Sequence, residues 1–69
     1  MRVAVPNYEI RVRGRLSDTV LNSFEELDAR LGAAETVLYG PVSDQAALHG
    51  LLARVRALGL ELLEVRRLS

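Results

Sequence analysis

The chain has no cysteine, no tryptophan and no lysine, and only one phenylalanine and one histidine. Each shortage removes a class of structure or chemistry. Without cysteine no disulfide staples the domain, and with His49 alone no structural zinc site of the usual kind assembles within one chain. No apolar run approaches the ~20 residues of a membrane-spanning helix, and Met1-Arg2-Val3-Ala4-Val5-Pro6 lacks the long apolar centre of a signal peptide. A soluble, cytoplasmic protein without membrane contact is the expectation. An excess of one charge is missing too, since nine basic and nine acidic residues leave a formal net charge of zero. That balance argues against a surface that holds nucleic acid or anionic lipid by long-range attraction.

What remains is 69 residues, 49% hydrophobic, with a core to be made of Leu, Val and Ala. They read as a single α+β domain, residues 1–69. A chain of this size buries only about 60% of the surface its unfolded form exposes, so self-association is the remaining route to extra burial. All nine basic residues are arginines. Arginine favours planar bidentate or stacked contacts, although genomic base composition produces the same bias without a functional reason.

Along the chain, Tyr8 to Leu16 alternate, with Tyr8, Ile10, Val12 and Leu16 on one side and Glu9, Arg11, Arg13 and Arg15 on the other, as in a half-buried strand. Residues 1–7 read as an extended N-terminal arm, either added to a sheet edge or unstructured. Ser17 and Asp18 supply oxygens for a helix start, and Val20, Leu21, Phe24 and Leu27 recur at helical spacing from about Thr19. This helix either runs to Arg30 or Leu31 and ends at Gly32, or stops near Glu26 and leaves Asp28 to Leu31 as a short strand. Thr36 to Gly40 is a strand on either reading. Gly40-Pro41 reads as turn chemistry, because the glycine spacing and lysine of a phosphate loop are lacking.

The second helix is better determined. Ser43 or Asp44 caps it, Leu48, Leu51, Leu52, Val55 and Leu58 form its apolar stripe, and Gly59 ends it. Leu60 to Leu68 is then a final strand, with Leu63 and Val65 alternating with Glu64 and Arg66.

The run Gly40-Pro41-Val42-Ser43-Asp44-Gln45-Ala46-Ala47-Leu48-His49-Gly50-Leu51-Leu52, with Leu58 to Leu68, resembles a widespread group of small uncharacterised bacterial proteins. Their hallmark is a GPxxDQAALHGLL segment and a terminal LxLxxVRRL strand. Tyr8 to Gly14 and Glu35 to Gly40 resemble the group as well. The resemblance implies a ferredoxin-like βαββαβ fold with both helices on one face of an antiparallel sheet, and brings no activity, cofactor or catalytic residue. A three-stranded βαβαβ arrangement is the alternative.

Three sets of residues are candidates for function. Arg11, Arg13 and Arg15, with Glu9, would line the open face of such a sheet, either solvated or meeting a protein partner; the aromatic RNP motif of base-stacking RRM sheets is absent. Ala46, Gly50, Ala53 and Ala57 form a smooth helix face opposite the leucine stripe, and a close approach by another element would explain Gly50. His49 falls on a flank of the helix beside Gln45, Ala53 and Arg56. It has no oriented proton-transfer partner nearby in sequence, so a hydrogen-bonded structural histidine is the plainer reading. His49 and Arg56 are nevertheless the candidates for ligand binding or pH sensing. The acids Glu25, Glu26, Glu61 and Glu64 read as solvated. The function expected is a non-catalytic interaction module acting as a small homo-oligomer, with an unidentified protein as a further partner and no cofactor. A small-molecule-sensing regulatory domain and a small dimeric ferredoxin-like enzyme are the alternatives.

Overall fold

A computed structural model of the chain describes residues 5–68. The elements are β1 (Asn7–Arg13), α1 (Asp18–Leu21) continued by a 3-10 turn (Asn22–Phe24), β2 (Asp28–Leu31), β3 (Glu35–Pro41), α2 (Gln45–Ala57) and β4 (Leu62–Arg67). The strands form one antiparallel sheet in the order β2-β3-β1-β4. β1 and β3 are therefore central and β2 and β4 are edges. Opposed residues share a face, so Ile10, Leu38 and Val65 lie together. Ile10, Val12 and Leu38 join Phe24 from the first helical segment, Leu27 just after it, and Leu48, Leu51 and Val55 from α2 in one buried cluster. Both helical segments therefore cover the same face, and the other face is open.

Four strands are present, so the three-stranded alternative is set aside. The first helix ends early. Ser17 caps it by accepting from the Val20 amide at 3.3 Å, but α1 spans only four residues before tightening into the 3-10 turn. Val20, Leu21, Phe24 and Leu27 do face the core, whereas Leu31, which would extend their stripe, is exposed on β2. What stops the helix is a tertiary contact. Gly40 has φ +156°, and a Cβ there would lie 3.1 Å from Leu27 Cδ2 and 3.6 Å from Leu27 Cα. The missing side chain lets the segment ahead of β2 settle directly on β3. Gly40 and Pro41 thus belong to a strand, opposite Tyr8 and Asn7, and not to a turn.

Other boundaries also shift. β1 begins at Asn7 and ends at Arg13, so Asn7 belongs to the sheet and Leu16, although buried, lies beyond the strand. Of the proposed arm, residues 1–4 lie outside the described residues, while the Pro6 carbonyl accepts from the Val42 amide at 2.9 Å. Thr36, fully buried, ties the β1–α1 loop to β3: its hydroxyl donates to the Gly14 carbonyl at 2.8 Å and accepts from the Leu16 amide at 3.1 Å. At α2, Asp44 is the N-cap, with Oδ1 accepting from the Ala47 amide at 2.8 Å. Gly59, at φ +72°, reverses the chain after the helix. Leu58 leaves the apolar stripe at this C-cap and is 41% exposed.

Candidate interaction surfaces

Arg11 lies on the open face of the sheet, midway along the central strand β1, with acids on every side. Its Nη1 is 3.1 Å from Glu35 Oε1, its Nη2 3.2 Å from Glu9 Oε1 and its Nε 3.8 Å from Glu64 Oε1. The hydrogen bond to Glu9 and then the charge of Glu35 hold the guanidinium pKa above its ordinary value. Arg66 Nη2 reaches the same Glu9 Oε1 at 3.3 Å. Beside them the Arg13 Nε sits 3.0 Å from Glu61 Oε1, and the Arg30 guanidinium lies 5.8 Å from the centre of the Tyr39 ring. Val37 is opposite Arg11 and Arg30 in the ladders and is only 8% exposed, although no helix covers it. The long arginine side chains supply that cover.

The open face is therefore a charge network in which arginine and glutamate interleave across three strands. Of the three candidate arginines, Arg11 and Arg13 are engaged with carboxylates. Arg15 lies beyond the end of β1 and makes no ion pair among the described residues. Glu61 and Glu64, expected to be merely solvated, are the partners of Arg13 and Arg11.

On α2, Ala46, Gly50, Ala53 and Ala57 are all exposed. The close approach expected at Gly50 is absent within the chain, because a Cβ there would meet nothing within 4 Å. Gly50 borders a depression of about 430 Å³ whose lining includes Ala47, Val42, Ser43, Arg54 and Glu26. On the other flank His49, Leu52, Ala53 and Arg56 line a depression of about 260 Å³. His49 and Arg56, two helical turns apart, thus line the same depression. His49 is exposed there.

The strongest polar contact between elements was not legible in the sequence. Arg54, on α2, grips Glu26 in bidentate fashion, Nη1 to Oε1 at 3.0 Å and Nη2 to Oε2 at 2.8 Å. Nη1 also donates to the Ser23 carbonyl, and the guanidinium lies 5.6 Å from the Phe24 ring centre. The hydrogen bond from Arg54 is the first reason that the Glu26 carboxyl is held below the usual carboxylate range. Glu26 is thus a structural partner. Its separation of 28 residues from Arg54 leaves no local pattern to read.

A different kind of surface runs from the end of α2 along β4. Leu58, Leu62, Leu63 and Leu68 are 41%, 43%, 38% and 47% exposed. At the α2 end of this stretch a groove of about 330 Å³ is lined by Leu52, Val55, Arg56, Gly59, Leu60 and Leu62. Leu63 owes its position to a bulge: Glu64 opposes Arg11 and Leu62 opposes Val12, which leaves Leu63 unpaired. Among the described residues, no three of His, Cys, Asp or Glu are grouped to hold a metal ion, and no helix is long and apolar enough to cross a membrane.

Comparison with known proteins adds one relationship. The family described as a domain of unknown function, DUF8691, matches residues 7–66, which takes in every strand but the last residue of β4. The chain belongs to that family. No curated protein and no solved structure gives a significant match.

Proposed function

We propose that this DUF8691 domain is a non-catalytic protein-interaction module that works as a small homo-oligomer. The observation that carries the reading is the set of exposed leucines from the end of α2 along β4. Leu58, Leu62, Leu63 and Leu68 come from eleven consecutive positions, and Leu62 joins Leu52, Val55 and Leu60 in lining a groove at the α2 end of that stretch. Several large apolar side chains exposed within one short stretch of a small domain support a place where another surface sits. The modest core of so short a chain gives the same surface a second role, since covering it adds burial that the monomer cannot supply.

The charge network points the same way by elimination. Arg11 faces three glutamates, so the carboxylates already occupy the place that phosphates would take on a nucleic-acid platform. The strand order β4-β1-β3-β2, read with both helical segments on one face, supports assigning the ferredoxin-like arrangement. In that arrangement an oligomer extends the sheet or covers its open face.

Molar mass in solution, measured by sedimentation or light scattering from low to high micromolar protein, tests the proposal. A mass that rises to a discrete multiple of the 7.6 kDa chain supports it. A monomer at every concentration overturns the homo-oligomer reading.

A further inference from the structure

The two edges of the sheet are finished differently. β2 is four residues long, whereas β4 offers six, Leu62–Arg67. A free edge presents a row of unpaired backbone donors and acceptors to any chain that can align with it.

The ladder to β1 determines which groups those are. The Leu68 amide donates to the Asn7 carbonyl at 2.7 Å, and the register continues through Tyr8 with Arg67, Glu9 with Arg66, Ile10 with Val65 and Arg11 with Glu64. Hydrogen-bonded and non-bonded pairs alternate in an antiparallel ladder. The backbone groups of Glu64, Arg66 and Leu68 therefore turn toward β1, and those of Val65 turn outward. Val65, central in the strand, has both its N–H and its C=O available at the edge.

Consider a second copy brought to this edge by a two-fold axis perpendicular to the sheet. Helices then stay on one face, and opposed residues must have the same parity, so every allowed register is centred on a residue. Centring on Glu64 sets two carboxylates directly opposite each other. Centring on Arg66 or Arg67 does the same with two guanidiniums. Like charges in opposed positions destabilise a strand pair, and unlike charges stabilise it. Centring on Val65 gives the opposite result: Glu64 of each copy faces Arg66 of the other, twice. These are non-bonded positions of the new ladder, where opposed side chains come closest. Val65 meets Val65 of the second copy with its outward N–H and C=O groups. Glu64 and Arg66 have side chains 48% and 57% exposed, so neither must leave a buried site to make the contact.

We infer that a second copy of this chain docks antiparallel on β4 in the register centred on Val65, joining two four-stranded sheets into one of eight strands. The inference rests on the homo-oligomer reading above and adds to it the edge, the register and the two charged pairs. The bulge at Leu63 limits regular pairing at one end of the strand, which helps confine the contact to a closed dimer.

Charge reversal tests the register. Glu64→Arg and Arg66→Glu each set like charges opposite one another twice in a dimer, and each variant alone is expected to dissociate about tenfold more readily than the parent. An equimolar mixture of the two variants restores both attractive pairs in the heterodimer, so the mixture is expected to associate like the parent. Each chain in the mixture carries the same internal changes as it does alone, so a folding defect cannot produce the rescue. If the single variants dimerise like the parent, or if the mixture fails to associate, the register is overturned while the homo-oligomer reading stands. A parent chain that is monomeric throughout overturns both and leaves the edge to a different protein.

Discussion

Arg54 holds both carboxylate oxygens of Glu26, at 3.0 and 2.8 Å, and so fastens the middle of α2 to the turn that leads into β2. Few other polar contacts join these two segments. The pair is half-exposed, so its worth at neutral pH is modest, about 0.2–1 kcal/mol. Glu26→Gln is expected to lower the melting temperature by no more than roughly 4–8 °C, the equivalent of about 1 kcal/mol in a domain of this size.

The pH dependence of that loss has a defined sign. Glu26 is held below its ordinary pKa in the folded chain, chiefly by the hydrogen bond from Arg54. Its contribution is therefore complete above the unfolded carboxylate value of about 4.3 and disappears as pH falls through the lower folded value. Melting curves of parent and Glu26→Gln should stay separated by a constant interval from pH 7 to about pH 5 and converge in stronger acid. An interval that persists undiminished in acid would mean that the variant acts through something other than the ion pair.

The elements that could be read in the sequence are those whose signals are local. α2 carries its own cap at Asp44, an apolar stripe through Leu48, Leu51 and Val55, and a glycine stop at Gly59, and all of these hold in the structure. The alternation of Ile10 and Val12 with Glu9 and Arg11 likewise identified β1 and its open face. Local signals leave two outcomes open where distant residues decide. Phe24 and Leu27 have helical spacing, yet contact with Gly40, far along the chain, ends the helix and leaves Leu31 on a strand. The same limit applies to the candidate surfaces. Arg11 is identifiable as outward-facing from β1 alone, but its three glutamate partners come from β1, β3 and β4. The exposure of Leu62 and Leu63 follows from a bulge and an edge position that alternation does not encode.

Thr36 provides a test of the loop between β1 and α1. Its hydroxyl donates to the Gly14 carbonyl and accepts from the Leu16 amide. Thr36→Val keeps the shape and removes both bonds, and is expected to cost about 1–3 kcal/mol. Thr36→Ser keeps the hydroxyl and should lose less. Urea unfolding, with the midpoint shifted and the slope unchanged, distinguishes this local loss from a change in the unfolded chain.

Asp44 and Ser43 offered alternative caps for α2, and the structure assigns the cap to Asp44 through its bond to the Ala47 amide. Asp44→Ala should therefore destabilise the domain by about 1 kcal/mol, with Asp44→Ser intermediate. Ser43→Ala is expected to have little effect. Equal losses at the two positions, measured by thermal unfolding, would contradict the assignment.

Two glycines should respond in opposite directions to the same added methyl group. At Gly40 the backbone is at φ +156° and a Cβ would press on Leu27 at 3.1 Å, so Gly40→Ala combines backbone strain with a displaced core leucine. A loss of about 1–3 kcal/mol is expected. At Gly50 the backbone is helical and the space around a Cβ is open. Gly50→Ala should therefore stabilise the domain by about 0.5–1 kcal/mol, through better helix propensity and a less flexible unfolded chain. The second substitution also separates two candidate interfaces. If subunits meet across β4, the methyl group at Gly50 lies away from the contact and the dissociation constant should match that of the parent. If they meet across the Ala46, Gly50, Ala53 and Ala57 face, the added methyl enters the contact and association changes even as the monomer gains stability. Sedimentation of Gly50→Ala beside its melting curve reads both quantities, and a stabilised chain with altered association would move the interface from the sheet edge to the helix.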